Sequence, residues 1–573
     1  RPGHPVDPRT NCLTKNHFRW PLAKHGVIMA FMALKDDLLK KGYLPENLPP
    51  TFVTTGIGAN LAARNGWLTD ARNPVRSSPF NASKRGMTRR EFSFVHPSTS
   101  HDLARFVADR EAELTQHFAL SDFSLSKPVH DPDLDRAVAI ASHSELESAR
   151  LSRLARYRFV ARTDISRFYH TIYTHSIPWA VHGRAAAKAD RVPASANCYA
   201  NRLDLIVRAG QDGQTVGVPV GPDASRYVAE VIGTAIDQEF VRRGGNQNCN
   251  LIRHVDDVWI GADTHAAAEE ALWRYREAIR FFELDINETK TAIYSDNFSF
   301  SDTWPTDIAA KFEFASKSLD RRIPERLRAA LEYAFSLTAR NNDDGVLKYT
   351  LRYLDRSNLA ATQWPVVEPF LKRAAVHFGH SIDYVARMIV WRHLAFRDLV
   401  IADWSPILVA ILDRHGRLGN DGEVSWALYA AIRLGVEIPI GTANLIVQNC
   451  SPLAVMALLS CVEQALVAPA VFGTAAEIVA SETASGPYWP LLLEWRSRQW
   501  PGGANLTLGN ELIEDLAQQG ITLFAPNRLP SVFQDLDEND FGSVAFAIEE
   551  RSSQYDDDEE EEDDLDEDED QPF

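Results

Sequence analysis

Two adjacent carboxylates, Asp256 and Asp257, interrupt the run Leu251-Ile-Arg-His-Val-Asp-Asp-Val-Trp-Ile260. The β-branched and aromatic residues on either side predict strands over Leu251–Val255 and Val258–Ile260, with the Asp pair at a hairpin tip. Like charges side by side raise each other's proton affinity unless a cation neutralises them. A hard divalent ion such as magnesium takes oxygen ligands and is the natural partner. The plain alternative is a turn that merely contains two Asp, since Asp is common in turns. What surrounds the pair along the chain decides between the two.

Upstream, Arg158-Phe-Val-Ala-Arg-Thr-Asp164 reads as a strand running into a third carboxylate, and Ile165 to Tyr173 begins a helical turn. By itself an Asp there reads as a helix cap. Gly217-Val-Pro-Val-Gly-Pro222 is a loop whose glycines would let the backbone approach a ligand, and an amphipathic helix follows it through Val228, Ile232 and Ile236. After the hairpin, Ala268, Leu272, Tyr275, Ile279 and Phe282 recur at helical spacing, and Leu284 to Ile293 closes the unit with a turn and a strand. Nearer the start, Met32–Lys41 reads as a short helix, and Arg89 to Pro97 as a strand beside the basic cluster Lys84, Arg85, Arg89 and Arg90. That cluster is either a solvated loop or a phosphate clamp, because arginine forks onto phosphate oxygens. Helices are expected from His101 to Phe118 and from Pro132 to about Ala155.

A net charge of −18 argues against a nucleic-acid partner until its location is considered. Residues 556–570 hold fourteen acidic residues and one Leu, so the remaining chain stands near −4 and can carry a basic groove. The tail is expected to be disordered. Five scattered cysteines without metal spacing suggest a reduced, cytoplasmic protein. No apolar run reaches membrane-spanning length. Beyond about residue 300, helical patterns near 323–340, 345–355, 364–378, 381–396, 405–415, 423–434, 452–467 and 487–498 suit stacked helix pairs in a HEAT-like array.

In order, Asp164 with Tyr169, Gly217-Val-Pro-Val-Gly-Pro-Asp-Ala-Ser225, Val255-Asp-Asp257 and Asn287-Glu-Thr-Lys290 resemble motifs A to D of a reverse transcriptase palm, over roughly residues 85–295. The resemblance implies two magnesium ions, with manganese as an alternative. Asp164 and Asp256 would bridge them, Asp257 would support them, and the Ile165 carbonyl would ligate one. It makes Asp164, Asp256, Asp257 and Lys290 the catalytic group, with Lys290 protonating departing pyrophosphate. Tyr169 falls at the sugar-gate position, which favours deoxynucleotides. Arg90, Gly217 and Pro219 complete the implied substrate site.

Gly42-Tyr-Leu-Pro-Glu-Asn-Leu-Pro-Pro50, Arg90 to Pro97, Phe168 to His175 and Thr215 to Pro222 narrow the resemblance to bacterial abortive-infection and defence-associated reverse transcriptases. In that group a helical repeat domain replaces the thumb, and some members make DNA without a nucleic-acid template or from a protein primer. Some form oligomers, and some use a non-coding RNA. Two positions depart from the usual pattern: His254 stands where Tyr or Phe precedes x-Asp-Asp, and Val216 replaces the Gln before the motif B Gly.

The expected fold is α+β. It comprises an N-terminal extension (1–31), fingers and palm with an antiparallel sheet (32–300), an all-α repeat domain (301–545) and the acidic tail (546–573). The expected activity is that of an RNA-directed DNA polymerase of antiviral, abortive-infection type, making DNA from dNTPs by two-metal nucleotidyl transfer, with template-independent or protein-primed synthesis as variants. The alternatives are an RNA-templated, retron-like enzyme with a partner non-coding RNA, and a non-catalytic scaffold that binds nucleic acid or a phage protein. The expected assembly is a homo-oligomer away from membranes.

Overall fold

The computed structural model describes residues 33–528 except 46, 85–87, 296–302 and 318–319. The extension at 1–31, the acidic tail, Arg85 and the expected domain junction at residue 300 lie outside the described residues.

The sheet that carries the carboxylates has four strands. They are β3 (Phe159–Asp164), β4 (Cys249–His254), β5 (Asp257–Ala262) and β6 (Ala292–Tyr294), all antiparallel in the order β4-β5-β3-β6. Val258, Trp259 and Ile260 are buried in succession, so both faces of β5 are covered. Beyond α4 (Ala200–Ala209) in the chain come α5 (Asp223–Arg242) and α6 (His265–Phe281), which lie on one face; their Val228, Ile232, Tyr275 and Ile279 fall on the periodic positions expected for core contact. On the other, α3 (His143–Leu154) packs Leu146 and Leu154 with Tyr157, Val160, Ile252 and Trp259 into a separate cluster. The outer edge of β4 is not left open. The Arg253 amide donates to Phe123 O (3.1 Å) and the Leu125 amide to Arg253 O (2.9 Å), so the segment around Ser124 completes the ladder.

Three local expectations change. The hairpin turns at Val255–Asp256, and Asp257 already belongs to β5. The expected helix at 101–118 is two helices, α1 (Pro97–Asp109) and α2 (Glu111–Phe118), broken at Arg110. Its start moves back to Pro97 because the buried His96 side chain caps the first turn, accepting from the Ser98 amide. Residues 132–142 are not helical. An Asp131 side-chain turn and the short pairing of Val138–Ala139 with Val129–His130 take up that stretch. Helix α3 then begins at a Ser142/Glu145 capping box.

Beyond residue 303 the described chain is helical, and each helix packs on its next or next-but-one neighbour. In order these are α7 (Trp304–Ser316), α8 (Ile323–Asn341), α9 (Gly345–Asp355), α10 (Trp364–His377), α11 (Ile382–Phe396), α12 (Ile401–Leu418) and α13 (Asp421–Leu434), then α14 (Ile440–Asn449), α15 (Pro452–Ser460), α16 (Val471–Ser481), α17 (Trp489–Ser497) and α18 (Glu511–Gln518). Helices α7, α14, α16 and α18 are additional to those expected from sequence, and α15 ends at Ser460 rather than near 467.

This array is not separate from the strand-bearing half. The two share one continuous core, from Leu34 to Phe524. The antiparallel hairpin of β1 (Ser78–Ser83) and β2 (Arg89–Phe94) lies on α13, and the Phe94 ring packs 4.7 Å from that of Trp489. Buried His96 contacts the Ala484 carbonyl through Nε2 at 3.1 Å.

Candidate active site

Asp164 ends β3 and Asp257 begins β5, and the two are direct cross-strand partners. The next rung is hydrogen-bonded, with the Ile165 amide donating to Asp256 O at 3.1 Å. Asp164 and Asp257 therefore form the closely spaced kind of pair, with Cα atoms about 4.5 Å apart and both side chains on one face. Asp256 sits at the turn beside them. The preceding residue, Val255, holds φ at 53°, a left-handed conformation that a β-branched side chain rarely adopts. Surrounding bonds hold it there: the Val255 amide donates to Ser126 Oγ, and Arg253 Nη1 donates to Val255 O at 3.3 Å.

Arg253 itself is fully buried below the tip, paired with Glu230 (2.9 Å) and Asp237 (3.0 Å) of α5. The Ser121 hydroxyl donates to Asp237 at 2.6 Å. Breaking such a pair on one side leaves an uncompensated buried charge, so this network ties the hairpin to α5.

All three carboxylates line one cleft of about 650 Å³, together with Lys290, Arg90 and Tyr169. Lys290 ends a short 3-10 turn capped by Asn287, and its Nζ lies 3.3 Å from Asp164 Oδ2. Tyr169 is half-buried, its ring edge-on to that of Phe168 at 5.8 Å. Its backbone carbonyl accepts from the Val218 amide at 2.7 Å. Gly217 and Pro219 are buried and do not line the cleft; Val220, Gly221 and Pro222 of the same loop do. Gly217 serves the Tyr169 turn instead. At φ +97° its amide reaches Ile172 O (2.8 Å), while Gln211 Nε2 donates to its carbonyl (2.7 Å). Ile165 is fully buried and is also absent from the cleft wall. His254 lines the cleft and meets the Ala141 carbonyl through Nε2 at 3.0 Å.

Among the cleft residues without a role expected from sequence are Arg150, Arg162, Arg167, His170 and Arg226. Arg162 was legible, because it lies two residues before Asp164 on the same strand face. Its guanidinium is 3.9 Å from Asp257 and 5.7 Å from the Trp259 ring, which Arg150 also approaches at 4.8 Å. Burial, aided by Arg167, pushes the His170 imidazole below its ordinary pKa. Nine Lys and Arg against five Asp and Glu line the cleft, so the groove is basic although the chain is strongly acidic.

The donor chemistry fits a hard divalent cation. The carboxylates form no closed cage: among the described residues, no three His, Cys, Asp or Glu side chains converge on one point. Carboxylate oxygens suit magnesium, which keeps waters and binds through one or two carboxylates plus substrate phosphates.

Residues 107–306 match the family model for reverse transcriptase (RNA-dependent DNA polymerase). The chain thus carries a segment that matches a reverse transcriptase domain, the kind of domain found in DNA nucleotidyltransferases. No curated protein matches it. Among solved structures it is similar to telomerase from Candida albicans in complex with a fragment of telomeric RNA, at 11% identity and a TM-score of 0.24, covering 59% of this chain and 66% of that one. It is also similar to apo telomerase from Candida tropicalis, at 12% identity and a TM-score of 0.29, covering 68% and 66%. The chain spans just under two thirds of each telomerase chain. Among the described residues, no helix is long and apolar enough to cross a membrane.

Proposed function

We propose that the protein is a two-metal DNA polymerase of the abortive-infection, antiviral class that extends a primer with deoxynucleotides, without a nucleic-acid template. The observation that carries the polymerase reading is the Asp164–Asp257 pair facing the cleft, with Lys290 against Asp164 and Arg90 on the same wall. Asp164, Asp256 and Asp257 are the residues that would hold magnesium, whose chemistry would be to lower the proton affinity of the attacking hydroxyl and stabilise the leaving oxygens. Arg90 holds the triphosphate by charge-assisted bonds. Tyr169, anchored through its backbone to Val218, places its ring against the sugar and excludes a 2′-hydroxyl. Lys290 gives a proton to departing pyrophosphate.

Template independence rests on Val216, whose apolar side chain cannot hydrogen-bond a nucleotide and is half exposed. The defence class rests on the motif resemblance alone, and the HEAT-like character of α7–α18 on their neighbour-to-neighbour packing.

The test is incorporation of labelled dNTPs by the purified chain with magnesium and no added template, followed by sequencing of the product. Template-free product that is lost in Asp256→Ala/Asp257→Ala supports the reading. Product complementary to a copurifying RNA replaces it with an RNA-templated enzyme, and equal incorporation by the double variant ends the polymerase reading.

A further inference from the structure

Strand β2 carries two arginines with different duties. Successive residues of a strand leave opposite faces. Arg90 lines the cleft; Arg89 also borders it, but its guanidinium forks onto Glu423 of α13, at 2.5 Å to Oε1 and 2.8 Å to Oε2. Glu423 is 3% exposed and Arg89 26%. Across the hairpin, Asn81 accepts from Arg89 Nε at 2.9 Å. Asn81 also gives its amide and its Nδ2 to Asp421 Oδ2, at 3.0 and 2.7 Å. Asp421 in turn accepts the Ser451 amide at 2.7 Å, which fastens the assembly to the start of α15.

Gly422 lies between these two acids. A Cβ there would come within 3.1 Å of Ala82 Cα, and Ala82 is the cross-strand partner of Arg90. The contact extends to the end of β1 and to the loop around Asn47. His380 meets Ser83 O at 3.2 Å, and Trp426 Nε1 donates to Asn47 O at 3.0 Å, where Asn47 also lines the cleft.

We infer that the first turn of α13 sets the β1–β2 hairpin in place, and that Asp421 and Glu423 are positioning residues for nucleotide binding by Arg90. The hairpin is bolted to the helical array by a forked ion pair, two bonds from Asn81 and a side-chain-free contact under Ala82. Arg90 is thereby held ready on the cleft wall, and the nucleotide enters a preset site. This inference rests on the reading of Arg90 as the triphosphate ligand.

The experiment is steady-state kinetics of dNTP incorporation by the full chain with magnesium. Glu423→Gln keeps the shape and removes the charge and one acceptor, and Gly422→Ala pushes on Ala82 without removing any charge. Alanine is otherwise the better helix former, so Gly422→Ala is not expected to unfold α13. Shifting an arginine clamp by a few tenths of an ångström is expected to raise KM for dNTP roughly tenfold with kcat little changed. Asp355→Asn is the control: it breaks the Arg387–Asp355 pair (2.9 Å) elsewhere in the array and should leave KM unchanged.

KM raised in both α13 variants and unchanged in the control supports the inference. KM unchanged in the α13 variants, or raised equally in the control, overturns it. Arg90→Ala separates the two levels. If Arg90→Ala leaves KM unaltered, the triphosphate reading fails, and if it raises KM while the α13 variants do not, only the anchor fails.

Discussion

Asp164 and Asp257 are direct partners on neighbouring antiparallel strands, two anions on one closely spaced rung. Like charges in that relation destabilise a sheet by up to about 1 kcal/mol, and Arg162, 3.9 Å from Asp257, offsets only part of this. Asp257→Asn is therefore expected to keep or slightly raise the melting temperature while dNTP incorporation falls by about three orders of magnitude, the scale of losing a main electrostatic stabiliser. Calorimetry and incorporation on the same preparation check both halves. A variant that melts earlier and still polymerises would sink the assignment.

Tyr169 is positioned through its own backbone, so truncating the ring should leave the turn intact. In Tyr169→Ala, the preference for deoxy- over ribonucleotides, measured as the ratio of kcat/KM values, should drop by about ten- to a hundredfold. An unchanged ratio would remove the sugar gate from the mechanism.

Lys290 lies 3.3 Å from Asp164 and faces the cleft. A general acid contributes typically about 10²-fold or more, so Lys290→Ala should lower kcat by that order. If Lys290 merely neutralised Asp164, Lys290→Arg would restore full kcat.

His96 is fully buried between α1 and the 484 segment, and burial lowers its pKa from 6.5 to about 3. The unfolded chain therefore binds the extra proton between those values. The stability from neutral His96 is fully present above pH 6.5 and is lost as pH falls towards 3. Between pH 7 and pH 5 the loss amounts to about 2 kcal/mol. Denaturant unfolding of wild type and His96→Gln at both pH values measures it, and a slope identical in the two proteins would refute it.

Much of the site was visible in the sequence because its chemistry is local. A strand ending in Asp164, a doublet at a hairpin and a lysine after Asn287 all survive into the structure. What was hidden depends on distant partners. Turn chemistry puts Asp, not Val, at a tip, yet Val255 takes the left-handed position because Ser126 and Arg253 hold it. Gly217 and Pro219 read as ligand-contacting but are buried away from the cleft lining, and Gly217 bonds the turn that holds Tyr169. The seating of the β1–β2 hairpin on α13 left no periodic trace, since Arg89 and Glu423 are 334 residues apart. Helix α16 has an exposed glycine, Gly473, as its third residue, which weakens its helical pattern.

That long span also shapes how the protein comes into being. A growing polypeptide that has emerged from the ribosome as far as Tyr294 already contains every acidic group of the cleft. It still lacks α13, the 484 segment and the strand partner of Phe52 at Phe524. Domains complete themselves as translation proceeds, but contacts this remote must wait for the last of their members. Synthesis therefore delays the catalytic half until nearly the whole array has been made, and a truncated product is born without a finished nucleotide pocket.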